Sequence, residues 1–310
     1  MELIRGLHNM RSRHRGCVVT IGAFDGVHLG HQAVVKHLLE KSRELDVPST
    51  IIVFEPLPRE YFAPLGAPAR IMSFREKFRA FAELGVDRLM RIRFNESLRN
   101  MSAQRFLQDI FVDGLGVRFI VLGDDFRFGN DRQGDIEFIR AQGPRHGYEA
   151  GPTPTRSIDG ERVSSTRIRQ ALEAADFVEA ERLLGRPYTI SGKVVYGRQL
   201  GRTLGAPTAN VELHRLRAPL SGVYAVQVNG PGLDNAAGVA NVGFRPTVED
   251  SIKANLEVHL LDRQIGLYGQ HIDVTFRHKL REEERFGSVD ELKLNIARDI
   301  QNAQAWFNRD

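Results

Sequence analysis

Partway along the chain the hydrophobic period changes, and that change limits the fold more than any other feature. Before Leu184-Gly185-Arg186-Pro187, apolar runs of strand length alternate with stretches of helical spacing. The run Cys17-Val18-Val19-Thr20-Ile21 precedes a face made of Val35, Leu38, Leu39, Ser42 and Leu45. Then come a strand at 50–54, a helix at 74–84, a strand at 88–94, a helix at 102–115 and a strand at 119–122. Strands separated by helices predict an α/β domain with a doubly wound parallel sheet. Beyond Pro187, strands at 189–196, 209–213, 222–228, 237–242, 255–261 and 272–276 follow one another with short turns, which predicts an antiparallel six-stranded β-barrel. A capping box, Ser288-x-x-Glu291, then announces a C-terminal helix whose stripe of Leu292, Ile296, Ile300, Ala303 and Phe307 is expected to pack on the barrel.

A chain of 310 residues is long enough for two cores. The expected domains are 1–185 and 186–310, joined by a short linker. One cysteine, Cys17, allows no internal disulfide, suits a reducing compartment and reads as a small core residue. A net charge of +4 spread along the chain attracts polyanions only weakly and does not by itself make a nucleic-acid-binding protein. No apolar run approaches the ~18 residues of a membrane span. The arginine-rich start, with Arg5, Arg11, Arg13 and Arg15, lacks the apolar centre of a secretory signal. The expectation is a soluble, cytoplasmic protein acting on small molecules, with no nucleic-acid or membrane partner. Oligomerisation leaves no mark in the sequence.

Ligands of doubly wound sheets bind beyond the carboxyl ends of the strands, where three loops gather glycines or polar residues: 22–31, 55–59 and 123–129. In the first, Gly22, Gly26 and Gly30 let the backbone come close to a ligand as a strand gives way to a helix. His28 and His31 add donors at that helix start, as transfer of a nucleotidyl group requires for charge building on an α-phosphate. Ser164 and Ser165 precede a second helical pattern carrying Ile168, Leu172 and Leu183, with Thr166 and Arg169 beside them. Read without context, the histidines are equally surface polar groups or half of a metal site. Zinc is disfavoured, because no cysteine or third histidine stands at ligand spacing. Phe54, Phe126 and Phe128 fit core packing as well as ligand contact, and Asp124 and Asp125 fit turn caps.

The second glycine-rich string runs from Gly192-Lys193 through Gly197, Gly201-Arg202 and Gly205 to Pro207-Thr208-Ala209-Asn210. No Gly-Lys-Ser/Thr follows at P-loop spacing, so a different phosphate cradle is implied. Thr208 offers a hydroxyl to the octahedral shell of Mg²⁺, and Asn210 an amide to phosphate or metal-bound water. Glu257 alternates with Val258 and Leu260, and on pattern alone it reads as a solvent-facing strand residue.

Both motif sets resemble the prokaryotic bifunctional riboflavin kinase/FAD synthetase family. The first set is Gly22 to His31, Phe54-Glu55-Pro56-Leu57-Pro58, Gly123 to Gly129 and Ser164 to Arg169. The second is the 192–210 string with Gly222-Val223-Tyr224, Asn241-Val242-Gly243 and Leu256-Glu257-Val258-His259. The resemblance spans nearly the whole chain. It implies a nucleotidyltransferase-like first domain that adenylylates FMN to FAD, and a barrel that phosphorylates riboflavin to FMN, each with ATP and Mg²⁺. It further implies that Gly22, Phe24, Asp25, His28, Gly30, His31, Ser164, Ser165, Thr166 and Arg169 meet ATP in the first domain. Phe54, Pro56, Asp125, Phe126 and Phe128 would meet flavin. In the barrel, Gly192, Lys193, Gly197, Gly201, Arg202 and Gly205 would cradle phosphate, Thr208 and Asn210 would hold the metal, and Glu257 would be the base. Gly266 departs from the family, which commonly has an acidic residue before Leu267-Tyr268-Gly269. Class I aminoacyl-tRNA synthetases share the His-x-Gly-His element, but their second signature loop is absent here. Two rivals stand beside this expectation: another nucleotidyltransferase with a regulatory barrel, and an RNA-binding protein using the small barrel.

Overall fold

The structure is a computed structural model that describes the chain except for residues 124, 125, 131, 154, 198–205, 247–251, 262, 264 and 310, and the side chains of 244–246, 252 and 253. The chain forms two compact units, Met1–Pro68 with Lys77–Val163, and Ala69–Glu76 with Ser164–Asp310.

The first unit contains β1 (Glu2–Arg5), β2 (Val18–Ile21), α1 (Leu29–Glu44), β3 (Ser49–Phe54) and α2 (Pro58–Phe62). It continues with most of α3 (Phe74–Glu83), then β4 (Arg88–Ile92), α4 (Glu96–Arg99), α5 (Ala103–Phe106), β5 (Phe119–Leu122), α6 (Ile136–His146) and β6 (Glu149–Pro152). A small hairpin, β7 (Ser157–Ile158) with β8 (Glu161–Arg162), completes it. The six main strands form one parallel sheet in the order β1-β4-β3-β2-β5-β6. Its inner strands are buried at every residue in β2, β3 and β5, which explains their largely apolar sequences, interrupted only by Thr20, Ser49 and Thr50. Edge strands β1 and β6 add to the four strands the sequence predicts. The helix expected over 102–115 is instead α5 followed by a π-helical stretch, Leu107–Val112, whose wider turn keeps Leu107, Ile110 and Phe111 in the core. Cys17 is buried in that core as expected, and burial pushes its thiol up to about 11.

The second unit opens with α7 (Ser165–Glu173) and α8 (Phe177–Leu184). The single apolar pattern of Ile168, Leu172 and Leu183 is thus divided between two helices. Ala175 breaks it in the left-handed region, with φ 56, and Asp176 caps the second helix by accepting from Glu179 N at 2.9 Å. Six strands then close a barrel: β9 (Thr189–Val195), β10 (Ala209–Glu212), β11 (Gly222–Gly230), β12 (Leu233–Pro246), β13 (Ile252–Leu260) and β14 (His271–Arg281). All pairs are antiparallel, in the order β10-β13-β12-β11-β14-β9. Val194, Val211, Val226, Ala240, Leu256, Val258 and Phe276 are buried in it. On the opposite face, Val223, Ala225 and Val239 pack against Ile300, Ala303 and Phe307 of α9 (Val289–Phe307). Ser288 caps α9 by accepting from Glu291 N at 3.1 Å, as the capping box predicts.

The segment Ala69–Glu76 is held in this unit by a buried ion pair. Glu76 Oε2 accepts from Arg215 Nη2, with the two side chains 3 % and 0 % exposed. Glu76 Oε1 accepts from Ser191 N of β9 at 2.7 Å, and Arg215 Nη1 donates to Ile71 O at 2.8 Å.

Candidate active sites

In the first unit, strand order reverses beside β2, whose neighbours are β3 and β5, so the loop leaving β2 lies at the switch point of the sheet. That loop is strained. Phe24, Gly26 and Val27 have φ of 48, 92 and 41, and a β-branched valine in the left-handed region is disfavoured by about 1 kcal/mol or more. The strain turns the chain into α1 with His28 as its N-cap. His31 N donates to His28 Nδ1 at 3.3 Å, and the two rings stack with centroids 3.6 Å apart. Because Nδ1 accepts, the His28 ring carries its proton on Nε2.

His31 is half-buried, and its Nδ1 atom is buried with no hydrogen-bond partner among the described residues. Burial holds its pKa well below the ordinary 6.5, reinforced by His28 whenever that ring is protonated and by the positive charges of Lys77 and Arg162. The imidazole is therefore neutral at physiological pH. A Cβ on Gly30 would come within 3.1 Å of the His28 ring and 3.3 Å of Val163 O, so only glycine fits without displacement.

The remaining predicted residues of this unit divide by burial. Phe24 packs between His31 and Phe81, at 5.0 and 5.5 Å between centroids, so only its backbone is left for a phosphate. Asp25 is buried and Gly22 packs on the Phe24 ring. Phe54 and Phe128 are core residues, Phe128 lying against Phe106 at 5.1 Å. Neither side chain is free to stack on a flavin in this arrangement. Phe126 is half-buried against Phe128, and Pro56 is half-buried in the turn after β3. Asp125 lies outside the described residues.

Two residues escaped the sequence reading. Lys77 is 0 % exposed and donates from Nζ to Ala23 O at 3.1 Å, fixing a carbonyl inside the histidine loop. Phe62 at the end of α2 is 58 % exposed, with its ring 5.7 Å from Phe94 and the Arg99 guanidinium 5.4 Å away. An aromatic a few residues after Pro56 is a signal the sequence holds, but burial is needed to separate Phe62 from Phe54.

In the second unit, Ser164 caps α7, its Oγ accepting from Arg167 N at 3.3 Å, while Ser165 and Thr166 occupy the first turn. Arg169 Nε donates to Ala69 O at 2.6 Å. On the barrel, register places Asn210 and Asn241 directly opposite Glu257, one on each side. Directly opposite residues point to the same face, here the one opposite the apolar filling. Glu257 does not simply face solvent: it is half-buried, accepting from Thr208 Oγ1 at 3.4 Å and from Asn255 Nδ2 at 3.0 Å. Thr208, Asn210 and Glu257 are thus brought together. Gly197 sits so near Asn210 that a Cβ would overlap its side-chain amide. Gly192 is buried where β9 closes on β10, and there a Cβ would meet Val211 and the Glu212 carbonyl; its glycine is required by packing. Lys193 is exposed, and Gly201, Arg202 and Gly205 lie outside the described residues.

The cluster offers hydroxyl, amide and carboxylate oxygens, which suit a hard cation. Among the described residues no group of three or more His, Cys, Asp or Glu side chains is placed to hold a metal. Among the same residues no helix is long and apolar enough to cross a membrane.

Comparison with known proteins agrees with both halves. Residues 10–167 match the family described as FAD synthetase, and residues 184–307 the family described as riboflavin kinase. A bifunctional riboflavin kinase/FMN adenylyltransferase of Pseudomonas fluorescens is 53% identical over 98% of this chain and 97% of its own length. The protein of the same name from Escherichia coli strain K12 is 49% identical over 99% of this chain and 98% of its own length. Among solved structures, one described as a macrolide-efflux protein from Streptococcus pneumoniae has a TM-score of 0.76 and 28% identity, covering 99% of this chain and 100% of that one. The chain belongs to the bifunctional riboflavin kinase/FMN adenylyltransferase family.

Proposed function

We propose that this chain makes FAD from riboflavin in two ATP-dependent steps, with the kinase in the barrel (186–310) and the adenylyltransferase in 1–185. In the first step the riboflavin 5′-hydroxyl attacks the γ-phosphorus of ATP, ADP leaves, and Glu257 accepts the hydroxyl proton. Thr208 and Asn210 hold the nucleotide's Mg²⁺ and phosphates. Positioning carries most of this step, since phosphoryl transfer asks little of base strength. In the second step an FMN phosphate oxygen attacks the α-phosphorus of a second ATP and the bond to the β-phosphate breaks, releasing pyrophosphate. His28 Nε2–H and the free N–H groups at the start of α1 stabilise charge on the non-bridging oxygens.

Ser164, Ser165, Thr166 and Arg169 are proposed as phosphate-binding residues on their resemblance to the family. Phe62 is proposed to stack on the isoalloxazine ring, with Phe54 and Phe128 supporting from the core.

The observation that carries this reading is that each unit gathers its own set of reactive groups: the stacked histidine pair in one, and Thr208, Asn210 and Glu257 in the other. Incubation of the purified protein with riboflavin and Mg-ATP should yield FMN and then FAD on chromatography, and EDTA should stop both. Absence of both products from folded protein overturns the reading.

A further inference from the structure

Asn241 lies in the same row as Asn210 and Glu257, directly opposite Glu257 on the neighbouring strand. Its Oδ1 is buried and has no hydrogen-bond partner among the described residues. Buried amide oxygens are almost always paired, so this one calls for a donor. Its neighbours along the row do not supply one. Val223, opposite Asn241 on the far side, belongs to the apolar patch beneath α9. Glu257 is acceptor-only when ionised, and its oxygens already receive Thr208 Oγ1 and Asn255 Nδ2.

We infer that Asn241 is a substrate-binding residue of the kinase site, its Oδ1 accepting a hydrogen bond from a secondary hydroxyl of the polyol chain whose primary hydroxyl meets Glu257. This rests on the reading of the barrel as a riboflavin kinase. Directly opposite strand residues have Cβ atoms about 5 Å apart, a span that a polyhydroxylated chain bridges with one end on Glu257. The carboxylate removes the proton from the reacting hydroxyl, and the neighbouring amide oxygen fixes the chain so that this hydroxyl is the one presented. Asn241 would then select a polyol-bearing flavin over one with a plain alkyl chain.

The test is a cycle on the full-length protein: wild type and Asn241→Ala, each with riboflavin and with analogues lacking one secondary hydroxyl of the side chain. Wild type should lose about tenfold in kcat/KM on one analogue, the usual worth of a single hydrogen bond. Asn241→Ala should lose about as much on riboflavin and nothing further on that same analogue. The KM for ATP, the Mg²⁺ dependence and the adenylylation of added FMN should not change. Three results overturn the inference: an unchanged kcat/KM for riboflavin in the variant, equal losses on every analogue, or a shifted Mg²⁺ requirement with riboflavin unaffected, which marks Asn241 as a cation ligand. If Asn241→Ala does not fold, Asn241→Ser in the same cycle decides. Wild type that leaves riboflavin unphosphorylated brings down the kinase reading itself, a different result from any of these.

Discussion

His31 concentrates the physical logic of the first site in one side chain. Burial, with the nearby His28 ring and the positive charges of Lys77 and Arg162, holds it neutral, while in the unfolded chain it titrates at its ordinary 6.5. Below that pH the unfolded state takes up a proton that the folded state refuses, so stability falls as pH falls, by at most about 1.4 kcal/mol per pH unit, and is unaffected by this group above it. Urea midpoints from pH 7.5 to 5 should therefore fall more steeply for wild type than for His31→Gln; parallel curves would mean that folded His31 accepts the proton. His31→Ala, which removes the ring stacked on His28, should cut FAD formation about 10²-fold or more while FMN formation from riboflavin continues. Glu257→Ala should do the reverse, sparing adenylylation of added FMN and cutting riboflavin phosphorylation about 10²-fold or more. The histidines were legible in the sequence because glycines and imidazoles crowd into ten consecutive residues. Lys77 was not, since a lysine in a helical stretch looks like surface until its burial is known. Phe54 and Phe128 could not be told from Phe62 for the same reason: residue type does not report which ring is left at the surface.

At the scale of elements, the least foreseeable feature is the short segment Ala69–Glu76, which lies early in the chain yet packs within the barrel unit. Glu76 joins Arg215 to the Ser191 amide of β9, two residues before Lys193. Removing one partner of a buried pair leaves the other charge unpaired, so Glu76→Ala should cost about 3–5 kcal/mol and lower the urea concentration at which kinase activity is lost. Glu76→Met with Arg215→Met should recover much of that loss, because a packed apolar pair replaces both charges. A double variant as unstable as the single one would point to the Ser191 bond as the dominant contribution. Neither the pairing nor the segment's allegiance shows in the sequence, since 139 positions separate the partners and no local period links them. The alternation of strands and helices and the six barrel strands were legible, because each depends on a local hydrophobic period. Edge strands β1 and β6 were not. The first carries charge at both ends, Glu2 and Arg5, and the second is the glycine- and proline-containing sequence EAGP, so neither has the apolar run that marks an inner strand.

For the molecule as a whole, two sets of reactive groups on one polypeptide raise the question of whether FMN leaves the protein between steps. His31→Ala should still make FMN from riboflavin, and Glu257→Ala should still convert FMN to FAD, so neither variant alone carries riboflavin through to FAD at an appreciable rate. If FMN passes through solution, an equimolar mixture of the two proteins restores FAD synthesis. FAD then appears after a lag in which free FMN accumulates, because adenylylation cannot begin until dissolved FMN approaches the KM of the second site. Dilution of the mixture should lengthen that lag, whereas direct transfer within one chain does not depend on protein concentration. The measurement is a chromatographic time course of riboflavin, FMN and FAD at two protein concentrations, with wild type in parallel. A mixture that accumulates FMN but forms no FAD, while its Glu257→Ala component still adenylylates added FMN at that same concentration, would contradict exchange through solution. A lag in the mixture but none in wild type would locate the difference in the covalent joining of the two activities, because the chemistry available to each substrate is otherwise the same.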